Sequence, residues 1–433
     1  MTHHLQTNTM PRPAASPPSR RLRKRLPAGR RGLRLAAVAA SLPLLLAVTA
    51  SGGVVPAQAA SNTGGLFAGH EAPGRGTAPV SACARQTGTG WNQVPTINPG
   101  NFDELTGVAV LSSCQAWAVG NYSGGTLIEN WDGTAWTQQP SPSPGNAGNA
   151  LRGAAATSAT DAWAVGDYST TADPTQSQNL IEHWNGTAWT QVPSPNPTAN
   201  SGLAAVAATS STDAWAVGTY ASGAVTRTLI EHWNGTAWTQ VPSPSPGGTN
   251  GSARSGVAAT SPTSAWAVGY YVTSGSVGKT LIEHWNGTAW TRVPSPEPAN
   301  DSVLSGVAAT SATSAWAVGS SSNGGGRTLI LHWNGTGWKQ VPSPSPGGTN
   351  GSALSGVAAT SPTSAWAVGS YSNMDKTLIL HWDGTTWTKV VSPNPSPLAN
   401  ELFGVAATSA ANIWAVGIRT NLSTYLTLAV HCC

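Results

Sequence analysis

The chain has 433 residues, of which 9% are charged, and it is rich in Gly (49), Pro (32) and Trp (20). Its net charge of +4 comes from one end: nine of the 21 Lys/Arg fall within residues 12–34, while all 17 acids follow residue 59. Beyond residue 59 the charge is −5, so no basic stripe remains to neutralise phosphates, and this argues against a nucleic-acid partner.

Residues 1–59 read as an export signal. The basic stretch precedes LAAVAASLPLLLAVTA, an apolar run broken by Pro43, and then the small-residue pattern Ala57-Gln58-Ala59. That run is shorter than the roughly 20 residues a spanning helix needs, so no membrane insertion is expected after cleavage. Arg30-Arg31 also fits a twin-arginine signal, leaving either export route open. Residues 60–82 are small, Gly/Pro-rich and aperiodic, and are expected to form a flexible linker.

From residue 83 the chain is repetitive. WAVG recurs seven times, with Trp at 117, 163, 215, 266, 316, 366 and 414, at spacings of 46 to 52 residues. That period is one four-stranded propeller blade. In the fifth repeat the strands read LSGVAAT (304–310), AWAVGS (315–320), TLILHW (328–333) and GWKQVPS (337–343). Asn334-Gly335 predicts a two-residue type I′ hairpin, which would set Leu331 across from Trp338. Gly, Pro, Ser and Thr interrupt every window of helical length, so the fold class is all-β. The small first strand fits the crowded axis and the tryptophans the widening wedge.

Six repeats are complete, over about 105–397; the seventh stops after three strands, in 402–432. Residues 88–95 (GTGWNQVP) match 335–342 (GTGWKQVP) and are expected to supply the missing strand. The expectation is a seven-bladed β-propeller of four-stranded blades over 83–433, its last blade closed by an N-terminal strand. Cys83, Cys114, Cys432 and Cys433 gather at that seam. In an exported chain they suggest two disulfides with three possible connectivities, with Cys83 bonded to Cys432 or Cys433 preferred.

WAVG followed by Leu-Ile-x-His-Trp-Asn/Asp-Gly-Thr-x-Trp resembles secreted bacterial β-propeller repeat proteins of the kelch/Asp-box-like kind, over residues 83–433. The resemblance implies the fold. Departures limit it: there is no kelch double glycine, no WD-repeat signature, and only an approximate Asp-box at Asp383-Gly384-Thr385-Thr386-Trp387. Catalytic positions of propeller enzymes are not recognisable.

His183, His232, His284, His332, His381 and His431 hold one equivalent position in six blades, which places them too far apart to share a metal ion. Glu129, Glu182, Glu231 and Glu283 are likewise spread over four blades, and are expected to pack beside the fourth-strand Trp with their carboxylates reaching water. No catalytic residue, metal or cofactor is therefore assigned. Asn-Gly-Thr at Asn185, Asn234, Asn286 and Asn334 matches a glycosylation acceptor, but the turn already accounts for it. Tyr122, Tyr168, Tyr220, Tyr271 and Tyr371 each follow the WAVG Trp by five positions, on the face carrying the longer loops. They are candidate ligand contacts, with packing against the Pro-Ser-Pro crossovers as the alternative. The function expected is a secreted, monomeric, non-catalytic binding or scaffold propeller for an extracellular polysaccharide or protein. The alternatives are a carbohydrate-active enzyme and a purely structural surface protein.

Overall fold

A computed structural model describes residues 90–170, 176–323 and 325–432. The export signal, the linker, Cys83 and Cys433 lie outside the described residues. The rest forms seven four-stranded antiparallel sheets, and the first strands of successive blades touch in a closed ring. The first blade runs from Glu104–Ser112 through Gln115–Tyr122 and Gly125–Trp131 to Trp136–Gln139. In the seventh, Asn400–Ser409, Asn412–Asn421 and Thr424–Cys432 are followed in the sheet by Trp91–Val94, with Trp91 paired to Cys432 and Val94 to Ala429. Beyond that strand, Asp103 N–H donates to Tyr425 O and Tyr425 N–H to Asn101 O.

Every blade boundary is built on tryptophan. The second-strand Trp of one blade packs edge-on against the fourth-strand Trp of the next, as in Trp117–Trp189 and Trp316–Trp387, both at 5.1 Å and 90°. The third-strand Trp of the next blade completes the triad, at 5.0 Å for Trp117–Trp184. Its indole N–H donates to a carbonyl in the turn between strands one and two, for example Trp184 to Ala159 at 3.1 Å. The sixth boundary differs: Trp366 meets Trp91 at 5.4 Å, and Cys432 stands where the other blades have the third ring. Edge-to-face pairs stabilise by about 0.5–1.5 kcal/mol each beyond the area they bury.

The hairpin joining strands three and four differs from the expected type I′ turn. Trp333 pairs directly with Trp338, and Leu331 with Gln340, so the loop has four residues. Gly335 has φ +89°, whereas Asn334 is not in the left-handed region. Asn334 uses its side chain instead: Oδ1 accepts from Thr336 N–H, Thr336 O–H and Gly337 N–H at 2.8–3.1 Å. Only the oxygen matters, which explains why Asp132 and Asp383 replace Asn in two blades and make the same bonds. The threonine and backbone donors hold both carboxyls below the usual range. The fourth strand is also shorter than expected, Trp338–Gln340, because Pro342 and Pro344 lack ladder donors.

Near the axis each first strand carries a β-bulge, as between Leu304 and Gly306. The bulge pushes a carbonyl against the glycine of WAVG: a Cβ on Gly319 would lie 2.1 Å from Val303 O, and the other six repeats give 1.9–2.1 Å. A side chain there needs the two strands to separate. Gly319→Ala is expected to destabilise by at least about 3 kcal/mol, whereas Gly337→Ala, whose Cβ would meet nothing within 4 Å, is expected to leave the chemical-denaturation midpoint essentially unchanged. Equal midpoints for the two variants would overturn this account of the motif.

Candidate functional site

The histidines are kept apart, each lying on the second-strand Trp of its own blade: Trp163–His183 at 4.2 Å and Trp366–His381 at 4.1 Å. Four Nε2 atoms meet local partners, Asp161 for His183 and Asp213 for His232, both at 2.7 Å, Asn412 for His431 at 3.0 Å and Ser264 for His284 at 3.4 Å, whereas His332 Nε2 is buried without one. Burial pushes His431 down to about 4. No group of three metal-binding side chains occurs among the described residues.

The glutamates depart from expectation. Glu129, Glu182, Glu231 and Glu283 are wholly buried, so their carboxylates do not reach water. They share a sheet face with Leu127, Leu180, Leu229 and Leu281, turned into the contact with the preceding blade, where blades five and six carry Leu331 and Leu380. Period-two alternation assigned the face correctly, but both faces of a blade are covered. Burial pushes Glu129, Glu182 and Glu231 up to about 8. Ile97 N–H reaches Glu129 at 3.3 Å and the Asn179 side chain reaches Glu231 at 2.8 Å. Glu283 is raised by burial but pairs with Arg254, which is itself buried and stands where other first strands have Leu.

The five tyrosines are half-buried and do not converge on one pocket. Tyr122, Tyr168, Tyr220 and Tyr371 pack against the edges of separate inter-blade cores. Tyr168 O–H donates to Gln178 at 2.7 Å. Arg292 lies over the Tyr271 ring at 4.6 Å and Lys389 over the Tyr371 ring at 4.4 Å.

The central channel brings different residues together. The residue that each first-strand bulge leaves unpaired is Thr106, Arg152, Ala204, Ser255, Ser305, Ser355 or Phe403, and all seven line one cavity of about 340 Å³. Charge gathers in one sector of the mouth, on the side of the loops joining strands two and three. Arg152 Nε meets Asp167 at 2.7 Å. Glu104 is raised by burial, with Arg152 opposing the shift. Glu401, its counterpart in the neighbouring seventh blade, is pushed up to about 7 by burial and by the charge of Glu104. Phe403 and Tyr270 add flat apolar faces. On the same face, the exposed rings of Phe102 of blade one and Tyr425 of blade seven pack at 4.6 Å. Sequence reasoning missed this set, since a bulge leaves no periodic trace. The available signal was one column reading T, R, A, S, S, S, F between nearly constant neighbours.

No family model and no curated protein matches this chain. Among solved structures it is similar to YCF48 from Cyanidioschyzon merolae, at 15% identity and TM-score 0.50, covering 79% of this chain and 98% of that one. It is similar also to a streptogramin B lyase, at 14% and 0.54 (79% and 97% covered), and to an ulvan lyase of polysaccharide lyase family PL25, at 10% and 0.51 (78% and 95% covered). At these identities the likeness is one of fold.

The buried acids give stability a definite pH dependence. Glu182 has its ordinary value near 4.5 when unfolded and about 8 when folded, so between those values the native state holds the extra proton. Its stabilising contribution is complete below about pH 4.5 and is lost as pH rises through about 8. The thermal midpoint is expected to fall across that window. Glu182→Leu, which copies Leu331 and Leu380, is expected to flatten the fall and raise the midpoint at pH 8. A variant that melts below the parent at pH 8 would contradict this reading.

Proposed function

We propose that this chain is an exported, non-catalytic binding propeller that holds an extracellular glycan at the mouth of its central channel. The observation carrying this reading is the ring of bulge residues: it is a column in which near-identical repeats diverge, and all of its residues line one cavity. The Glu104 carboxylate accepts hydroxyl donors, Arg152 held by Asp167 donates, and Phe403 and Tyr270 offer faces on which a sugar ring packs. The sequence's kinship lies with the secreted bacterial repeat propellers it resembles, and Cys83, Cys114, Cys432 and Cys433 pair in disulfides at the seam.

Blades four to six supply conservative replacements for testing the site. Phe403→Ser and Arg152→Ser reproduce Ser255, Ser305 and Ser355, and therefore keep the fold. On a glycan array and in titration calorimetry of the mature chain, each is expected to weaken the best glycan at least tenfold. Changing the five tyrosines to Phe is expected to leave it within twofold. Failure to bind any glycan, or full binding by both Ser variants, would overturn the proposal.

The carboxylate pair favours a second reading, a carbohydrate-active enzyme. Glu401, half protonated near pH 7, would donate a proton to a leaving oxygen while Glu104 acts as the second carboxylate. Release of reducing ends from the bound polysaccharide, abolished by Glu401→Gln, would establish that reading over simple binding.

A further inference from the structure

Blades five and seven lack the ring in the tyrosine column, with Ser321 and Arg419 in its place, and beside Ser321 a cleft of about 920 Å³ opens. Ser321 lies buried on its floor, and Arg327, Gln340, Asn323, Pro298 and Pro342 are among its walls. Two comparisons within the chain show that this cleft includes the space a tyrosine ring fills elsewhere. Arg292 and Lys389, which lie over the rings of Tyr271 and Tyr371, occupy the strand-four position of Gln340. In blade one, a Cβ on Gly125, the counterpart of Arg327, would lie 3.7 Å from the Tyr122 ring. Gln340 and Arg327 therefore bound a ring-sized space.

Blade three shares the crossover wall of blade five and keeps the tyrosine. Tyr220 pairs with Arg227 as Ser321 pairs with Arg327. The crossover PSPSPGGTNGSA is identical in the two blades, at 242–253 and 342–353. Thr228 and Thr328 make the same hydroxyl contacts, to Ser243 and Ser245 and to Ser343 and Ser345 respectively. The loops between strands two and three differ, with Ser222 pairing Val225 in blade three and Ser322 pairing Gly326 in blade five, so the Tyr-to-Ser change acts together with the small Gly325 to open the space.

The charge points to the occupant. In blade four, Lys279 stands at the position of Arg327 and is neutralised by Glu297 at 3.1 Å. Blade five has Ser345 at the corresponding crossover position, and Arg327 is exposed and in no ion pair among the described residues. A guanidinium binds a carboxylate through two parallel hydrogen bonds. Gln340 and Asn323 supply further donors and acceptors, and the prolines give apolar walls.

We propose that this cleft binds a ring bearing a carboxylate, a hexuronate unit of an acidic polysaccharide, with the sugar ring taking the space of the missing tyrosine and Arg327 pairing with the carboxylate. The site is separate from the channel mouth and does not depend on that assignment. Calorimetry of the mature chain with trigalacturonate and with neutral galactotriose tests it. Trigalacturonate is expected to bind at least tenfold more tightly than the neutral sugar. Ser321→Tyr, which copies blade three, is expected to abolish that binding, and Arg327→Gln, which copies Gln178 of blade two, to weaken it at least tenfold. Phe403→Ser in the channel is expected to change nothing. Equal affinity for the two sugars, undiminished binding by a folded Ser321→Tyr protein, or loss of binding in Phe403→Ser would overturn the proposal. Circular dichroism and the thermal midpoint establish that each variant is folded.

Discussion

The fold depends on a wedge of aromatic rings repeated around the disk. One second-strand tryptophan meets the third- and fourth-strand rings of the next blade, and this contact sets the angle between neighbouring sheets. A ring of seven closes only if every boundary makes nearly the same turn, so no boundary can alter its wedge independently. At the axis the complementary demand is for absence of bulk: the glycine of WAVG faces a carbonyl displaced by the bulge, and the bulge glycines face neighbouring backbone, as Gly107 faces Gly153. Rings outside and glycine inside are two consequences of one geometry. The sixth boundary, where Trp91 supplies the strand-four ring, obeys the same rule with two rings and a cysteine.

Blade number and strand order were legible because they rest on those repeated residues. Register at the hairpin was not, although Asn334-Gly335 was read correctly as a turn. The dipeptide is compatible with two loop lengths, and the choice was made by the Asn334 oxygen, which gathers three donors and holds the chain in a four-residue loop. The buried glutamates were misjudged for a related reason. Alternation tells which side of a sheet a residue faces but not what covers it, and Glu182 faces another blade where a solvated sheet would have given it water. The bulge residues were invisible because an unpaired residue belongs to neither parity of its strand.

Symmetry also decides where function can reside. A residue present in every blade is carried to seven places around the disk, and copies so separated do not assemble a single asymmetric site. That is the physical reason the histidine column stays structural: each imidazole packs on the second-strand tryptophan of its own blade. A working site has to be made of departures from the repeat.

Departures are of different kinds, however, and burial sorts them. The Glu-to-Leu changes on strand three break symmetry inside a closed interface, so their effect falls on stability and its pH dependence. The bulge column breaks symmetry on the wall of a cavity, where Arg152, Phe403 and the nearby Glu104 and Glu401 make one sector unlike the other. The tyrosine column breaks symmetry by deletion: a ring missing at Ser321 leaves a polar cleft, walled by the crossover that blade three shares and by a loop of blade five's own. In that last case the repeat does more than carry the site, because each intact blade shows the size and packing of the group that the empty one lacks.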